Sequence, residues 1–273
     1  MPFVHTAPAS CPLRGKMPAG QKGVSFYMNT IKKRPLGGMG GFLSLFFVLI
    51  SLCANAQNDS LRISILGDSY STFYGCVVPD TNAIWYFPDG HKSAQKGNDV
   101  RKVEQTWWHQ VVKRLGAKLE RNNAYSGATI CYTGYRPAEG KPHADYSDRA
   151  FITRSNWLGN PDVILVCGAT NDSWCGAPIG DYVFGNWTNK QLYSFRPAMA
   201  KLLYDLKGNY PMARIVFILN SELKDEINES VHTICKHYNV PCLDLHNIDK
   251  QWGHPSVAGM KSFADQVVEF LKK

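Results

Sequence analysis

The sequence predicts an α/β domain built on a parallel sheet with helices covering both faces. Short apolar runs alternate with segments of helical periodicity, a pattern typical of parallel strands joined by crossover helices. The run Asp162–Cys167 is apolar after its first residue, as expected of a strand that is buried on both faces. The stretch 256–271 places its apolar residues at helical intervals instead. These observations together indicate the fold class.

The individual elements follow from the same two patterns. Strands are predicted at Leu61–Leu66, Lys118–Asn122, Asp162–Cys167, Ala213–Leu219 and Val240–Leu245, and helices at about 105–115, 190–208, 222–238 and 256–271. The second strand has the weakest pattern. In the first helix, Trp107 and Trp108 precede further apolar residues at helical spacing, so at least one of them is expected in the core. Functional sites in such sheets form in the loops after the carboxyl ends of the strands.

The first 56 residues are predicted to be separate from a single domain that spans residues 57–273. Met28 opens a stretch typical of a secretory signal, with basic residues at 32–34, an apolar run from Phe42 to Cys53, and a cleavage site between Ala56 and Gln57. The run is shorter than the roughly 20 residues of a membrane span, and a retained anchor is the alternative. Residues 1–27 are either an extension or lie upstream of the true start at Met28. The sequence thus predicts a secreted or periplasmic protein with no stable membrane span after processing.

The net charge of +8 arises mainly in this N-terminal segment. Six of the 30 basic residues and none of the 22 acidic residues precede residue 58, which leaves 24 basic residues against 22 acidic ones. A nearly neutral domain without a basic run gives no reason to expect a nucleic-acid partner.

Six of the eight cysteines follow residue 57. An exported chain permits disulfides, but the sequence selects no pairing, and buried thiols are the alternative. None of their spacings is that of zinc ligands, so no metal site is predicted.

Four polar motifs follow predicted strands. Ser69 lies in Gly-Asp-Ser after the first strand, where a strand-to-helix junction exposes a hydroxyl beside unpaired backbone N–H groups. Gly127 and Asn171 follow the second and third strands; glycine leaves its N–H open to a ligand, and asparagine can donate its amide to an oxyanion. His254, just before the last helix, has a pKa suited to accepting a serine proton. Each motif alone also fits a turn or a helix cap, but their joint placement favours nucleophilic catalysis.

The motifs GDSYS, NNAYSG, ATND and GHPS resemble, in this order, the four blocks of the SGNH hydrolases, the GDSL-like lipases and esterases. The resemblance covers about residues 61–271. It implies a three-layer α/β/α sandwich with a five-stranded parallel sheet, in a flavodoxin-like arrangement. It also implies that Ser69 attacks an ester carbonyl with His254 as base, and that the N–H groups of Ser69 and Gly127 and the side chain of Asn171 form an oxyanion hole. No metal or organic cofactor is implied.

Two positions depart from this family pattern. Ala169 stands where the family usually has glycine, and a small side chain is expected to be tolerated there. Gln251 stands where the family usually has the aspartate that orients the histidine. Asp249 is the tentative replacement, and Asp244 and a backbone carbonyl in a Ser–His dyad are the alternatives.

Aromatic residues are frequent in the loops expected around Ser69. Trp85, Tyr86 and Trp174 are candidate substrate-binding residues, because flat rings can stack on sugars; packing within the loops is the alternative for each. Together with the predicted secretory signal, these aromatic loops predict a secreted esterase that removes small acyl groups, such as acetyl, from carbohydrate. No long apolar groove of the kind that a lipase needs is visible. The alternatives are a non-catalytic carbohydrate-binding protein on the same fold and an acyltransferase.

Overall fold

The structure, a computed structural model, describes residues 60–273. The predicted secretory signal, its cleavage site and the start at Met28 lie outside these residues. Within the described part of the chain, no helix has both the length and the apolar character needed to cross a membrane.

The described chain alternates strands and helices, as the sequence predicts. The strands are β1 (Arg62–Gly67), β2 (Lys118–Ala124), β3 (Val163–Gly168), β4 (Arg214–Leu219), β5 (Cys242–Asp244), β6 (Lys250–Gln251) and β7 (His254–Pro255). The helices are α1 (Trp107–Arg114), α2 (Phe151–Arg154), α3 (Thr170–Cys175), α4 (Phe195–Asn209), α5 (Asp225–His237) and α6 (Val257–Lys272). The two short helices α2 and α3 and the β6–β7 pair are additions to the predicted elements.

Strands β1 to β5 form one parallel sheet in the order β2-β1-β3-β4-β5, so the five-stranded prediction is confirmed. Gly67, at the end of β1, is in register with Ala124 of β2 and Cys167 of β3. The three strands therefore end side by side, and the loops that follow them meet at one edge. Strands β6 and β7 form a separate antiparallel pair.

Both faces of the sheet are apolar, which requires helices on both sides. Ile164 and Val166 of β3 pack in a cluster with residues of α4 and α5. Their neighbours Val163 and Leu165 point the other way, into a cluster with residues of α1 and α6. The alternation follows from the two-residue period of a strand, and each fully buried aliphatic side chain stabilises the fold by roughly 1.5–3 kcal/mol. The three-layer α/β/α prediction is confirmed.

Helices α1 and α6 pack together through aromatic residues. Trp107 and Trp108 are both fully buried, and the Trp107 ring stacks on Phe263 with centroids 4.4 Å apart. At the start of α6, the Ser256 hydroxyl accepts a hydrogen bond from the Gly259 N–H. This cap fixes the point at which the chain leaves the His254 loop and enters the helix.

Candidate active site

The Ser69 hydroxyl and the His254 imidazole meet at the carboxyl edge of the sheet. Ser69 begins a short 3₁₀ turn after β1, in which the Asp68 carboxylate accepts the Tyr70 N–H at 3.0 Å. His254 begins β7, and its Nε2 lies 2.9 Å from Ser69 Oγ. Both residues are buried, with 3% and 5% of their surfaces exposed. The two groups are therefore within proton-transfer distance.

Two tyrosines hold the loop that carries His254. The Tyr70 hydroxyl donates to the Gly253 carbonyl at 2.5 Å, and the Tyr86 hydroxyl donates to the Pro255 carbonyl at 3.0 Å. Tyr86 is only 1% exposed, and its ring belongs to the apolar cluster between the sheet and α6. The prediction that Tyr86 contacts substrate is therefore corrected, because its side chain points into the core.

The partner of His254 Nδ1 is a backbone carbonyl. Nδ1 lies 3.0 Å from the Trp252 carbonyl oxygen. Because a carbonyl can only accept, Nδ1 carries the proton and Nε2 is left to accept the Ser69 hydroxyl proton. The tentative assignment of Asp249 is corrected, since its carboxylate accepts the Ser256 hydroxyl instead. The alternative Asp244 is also excluded from this position, because it pairs with His232 at 3.3 Å.

The backbone of the β6–β7 turn explains this arrangement. Trp252 and Gly253 both have positive φ, 54° and 74°, as the central residues of type I′ hairpin turns do. The turn pairs Gln251 with His254, and Gln251 Oε1 accepts the Asp99 N–H at 2.9 Å. Gln251 stands where the family usually has the acid, but its side chain binds the Asp99 N–H, and the partner of His254 Nδ1 is the Trp252 carbonyl.

Burial keeps His254 neutral. Loss of hydration lowers the pKa of His254 to about 4, and the positive charge of Lys250 acts in the same direction, while the bond to the Trp252 carbonyl opposes both. At neutral pH the imidazole is therefore unprotonated at Nε2, as a general base must be.

The predicted oxyanion donors converge on the same cleft. Asn171 Nδ2 donates to the Ala128 carbonyl at 2.9 Å, and Asn171 Oδ1 accepts the Tyr135 hydroxyl at 2.7 Å, which fixes the amide and leaves its second N–H for a ligand. Gly127 has a φ of +82°, which an alanine would strain, and no acceptor within residues 60–273 takes its N–H. The cleft has a volume of about 230 Å³, and its walls include Ser69, Gly127, Tyr135, Asn171, Trp174, His254 and Trp85.

Asp172 and Ala169 shape the loops that supply these donors. The buried Asp172 carboxylate accepts the N–H groups of Ile130 and Cys131 at 2.8 and 3.2 Å, which fastens the segment after Gly127 to α3. Burial raises the pKa of Asp172 to about 6. Ala169 has a φ of +74°, a left-handed conformation that glycine adopts more easily. The left-handed backbone at this position explains why the family usually has glycine there, and the alanine is slightly strained.

A buried arginine, which the sequence did not reveal, joins the ends of β1 and β2. Arg154 is 1% exposed, and its guanidinium donates to the carbonyls of Gly67 and Asn123. Burial lowers the pKa of Arg154 to about 9 and raises that of Asp68 to about 7, and the attraction between the two groups opposes both shifts. Arg154 therefore holds the strand end from which Ser69 projects.

Two tryptophans wall the cleft beside His254. The Trp85 ring stacks on the imidazole with centroids 3.6 Å apart and planes 9° apart. Trp174 meets the imidazole edge-on at 5.9 Å and is 44% exposed. Both were expected near the substrate, and their position at the cleft is consistent with that role.

Among the described residues, the cysteines Cys131, Cys167, Cys175, Cys235 and Cys242 carry free thiols. Three possible metal ligands, His232, Cys242 and Asp244, have ligand atoms within 4.8 Å of one another on α5 and β5. His232 and Asp244 are exposed, and such exposed groups commonly occur without an ion.

A three-layer α/β/α fold with serine, glycine, asparagine and histidine gathered at the carboxyl edge of its sheet is typical of SGNH-type hydrolases. The sequence model of the family described as GDSL-like lipase/acylhydrolase matches residues 61–271. The chain belongs to this family, and membership implies an ester-hydrolysing enzyme.

Solved structures agree with this family. A GDSL-like lipase from Bacteroides ovatus is 53% identical, with a TM-score of 0.73 over 78% of this chain and 99% of the other. A GDSL-like lipase from Bacteroides uniformis is 55% identical, with a TM-score of 0.73 over 78% of this chain and 96% of the other. A carbohydrate esterase at 18% identity and a TM-score of 0.52, over 78% of this chain and 68% of the other, shares the fold. No curated protein matches the chain.

Proposed function

We propose that the chain is a serine esterase that removes small acyl groups from carbohydrate, and that it acts after export. The observation that carries this proposal is the 2.9 Å contact between Ser69 Oγ and His254 Nε2, in a cleft that Gly127 and Asn171 also line. The predicted secretory signal supports export.

In the first half of the reaction, Ser69 Oγ attacks the ester carbonyl carbon while its proton moves to His254 Nε2. The carbonyl oxygen becomes an oxyanion, which accepts hydrogen bonds from the N–H groups of Ser69 and Gly127 and from Asn171 Nδ2. The intermediate collapses, the bond to the alcohol oxygen breaks, and His254 returns the proton to that oxygen. In the second half, His254 takes a proton from water as the water attacks the acyl-serine; the bond to Ser69 Oγ then breaks, His254 returns the proton to Oγ, and the carboxylic acid is released.

The Trp252 carbonyl supplies one of the two contributions that an acid makes in a Ser–His–Asp triad. It fixes the ring and the tautomer, because it can bind only a protonated Nδ1. It bears only a partial negative charge, so it stabilises the imidazolium less than a carboxylate would. The low pKa of His254, about 4, is consistent with the absence of a neighbouring carboxylate. The dyad therefore relies on the oxyanion donors for more of the transition-state stabilisation.

The size of the cleft supports a short acyl group. Its volume of about 230 Å³, bounded by the rings of Trp85 and Trp174, accommodates an acetyl group beside Ser69. The same rings offer flat surfaces to a sugar.

Measurement of acetate released from acetylated xylan and acetylated pectin tests this proposal. We expect release by the wild-type protein, loss of release in Ser69→Ala, and strong slowing in His254→Ala. Long-chain p-nitrophenyl esters are the comparison substrates. Hydrolysis of the long-chain esters alone, or acetate release that persists in Ser69→Ala, would contradict the proposal.

A further inference from the structure

A second concavity lies beside the catalytic cleft and shares a wall with it. This groove has a volume of about 560 Å³ and is lined by Trp85, Trp252 and the segment 92–96. Trp85 also lines the catalytic cleft, where its ring stacks on His254. The catalytic cleft and the groove therefore adjoin each other at the Trp85 ring.

The groove lies on the histidine side of the cleft. Trp85 and Trp252 both contact His254, the first through its ring and the second through its carbonyl. Gly127 and Asn171 line the cleft but not the groove. In ester cleavage the leaving alcohol must lie next to the histidine that protonates it. The alcohol part of the ester is therefore the part that enters the groove.

The aromatic wall of the groove is exposed and held in place. Trp252 is 77% exposed, although its backbone contacts the catalytic histidine. A Cβ atom on Gly97 would lie 2.3 Å from Trp252 Nε1, and Gly97 has a φ of +94°. Only glycine allows this close approach, so the segment before residue 98 and the Trp252 ring fit against each other. An exposed ring held in this way can stack on one face of a sugar.

The other wall carries positive charge. Lys92 and Lys96 are exposed, and within residues 60–273 neither forms an ion pair. The Arg101 guanidinium donates to the Gln95 carbonyl at 2.5 Å, which adds a third positive group beside the segment. The nearby Asp99 keeps its negative charge, but its carboxylate accepts the Val257 N–H at the start of α6 and does not line the groove. The other acidic residues that flank the segment, Asp89 and Glu104, are exposed and do not line the groove.

We propose that this groove is a subsite for a negatively charged sugar in the alcohol part of the substrate. The sugar stacks on Trp252, and its carboxylate or sulfate group lies at Lys92 and Lys96. This inference rests on the proposed esterase function, and it names the substrate class of that site as an acylated anionic carbohydrate.

Charge removal in the groove tests the subsite. The variant Lys92→Ala/Lys96→Ala is compared with Lys113→Ala/Lys118→Ala, which removes the same charge from two exposed lysines outside the groove, one in the last turn of α1 and one at the start of β2. We expect the groove variant to lower kcat/KM for acetylated oligogalacturonate about tenfold, through KM, since each exposed ion pair contributes up to about fivefold. Its effect on acetylated xylo-oligosaccharide and on p-nitrophenyl acetate should be less than about twofold.

Salt and direct binding provide independent readouts. Raising NaCl from about 0.05 M to about 0.5 M should erase most of the wild-type preference for the anionic substrate, because the charges are exposed and screened. Titration of Ser69→Ala with deacetylated oligogalacturonate, a sulfated galactan oligosaccharide and a neutral galactan oligosaccharide compares the charged groups. We expect the better charged ligand to bind about tenfold more tightly than the neutral one, and the ranking of the two identifies the carboxylate or the sulfate as the preferred group.

The outcomes separate the subsite from the esterase. Equal kcat/KM for neutral and anionic substrates, or equal losses in both double variants, would overturn the subsite while hydrolysis of p-nitrophenyl acetate upholds the esterase. Absence of all ester hydrolysis, with charge-dependent binding retained, would overturn the esterase and leave the groove as a binding site.

Discussion

Replacing Asp249 by alanine distinguishes a His254 supported by a carbonyl from one supported by a carboxylate. The substitution removes the acceptor of the Ser256 hydroxyl and leaves the Trp252 carbonyl 3.0 Å from His254 Nδ1. We therefore expect kcat/KM to fall by less than about threefold, whereas loss of the orienting carboxylate of a catalytic triad costs about 10⁴-fold.

The same substitution should reduce stability, because Ser256 caps α6. Asp249 is exposed, so the lost hydrogen bond contributes about 1 kcal/mol, and the loosened cap adds a similar amount at most. For a domain of this size, a change of 1 kcal/mol lowers Tm by about 2–4 °C.

Initial rates on p-nitrophenyl acetate and thermal melting measure the two effects separately. Ser256→Ala is the matched control, since it removes the other partner of the same hydrogen bond. Ser256→Ala should lower Tm more than Asp249→Ala, because it also removes the acceptor of the Gly259 N–H, and the double variant should lose less than the sum of the two. A fall in kcat/KM of about 10³-fold or more, at an unchanged Tm, would refute the carbonyl-supported dyad.

Four further predictions concern the oxyanion donor and the base. Asn171→Ala should lower kcat by about 10²–10³-fold with a smaller effect on KM; an unchanged kcat in steady-state assays would exclude the amide as a donor. Tyr135→Phe should lower kcat by about 3- to 10-fold, with no further loss in the Asn171→Ala background, because it acts only by fixing the amide. The pH profile of kcat/KM should fall only near pH 4, the pKa of His254, and a midpoint near 6.5 would contradict its burial. Because the unfolded histidine takes up a proton below about pH 6.5 and the folded one only near pH 4, His254 contributes a loss of about 2 kcal/mol of stability between pH 7 and pH 4.5, whereas the raised pKa values of Asp68 and Asp172 act in the opposite direction. In urea denaturation, the stability of His254→Gln should therefore be higher at pH 4.5, relative to pH 7, than that of the wild type by about this amount.

The fold and the four-residue site were predictable because each depends on residue type and order. The apolar run of β3 indicates a strand buried on both faces, and parallel strands place the loops after them at one edge. Ser69, Gly127 and Asn171 could therefore be placed at one edge from their positions after β1, β2 and β3, and His254 was added by the order of motifs shared with the family.

The hydrogen-bond partner of His254 Nδ1 was not predictable, because it is a backbone carbonyl whose direction depends on the local backbone geometry. Any residue has a carbonyl, and the one at Trp252 points to the imidazole only because two consecutive residues have positive φ. Tyr86 was misassigned because it adjoins Trp85 in sequence, while in the structure Trp85 faces the cleft and Tyr86 enters the core.

The polar contacts that support the site loops were not predictable, because the residues that form them are far apart in sequence. Asp172 binds backbone groups 41 and 42 residues away, and Arg154 binds the Gly67 carbonyl from 87 residues away. Neither contact has a local pattern. Ala169, by contrast, could be identified as unusual, and its left-handed backbone explains why the family usually has glycine there.

Covalent labelling by a fluorophosphonate tests the central claim most directly, because the probe requires an activated serine and no knowledge of the substrate. Intact mass and peptide mapping of the wild-type protein should show one adduct per chain, on Ser69, with labelling absent in Ser69→Ala and greatly slowed in His254→Ala. A folded wild-type protein that stays unlabelled, or carries its adduct on another residue, would contradict the dyad.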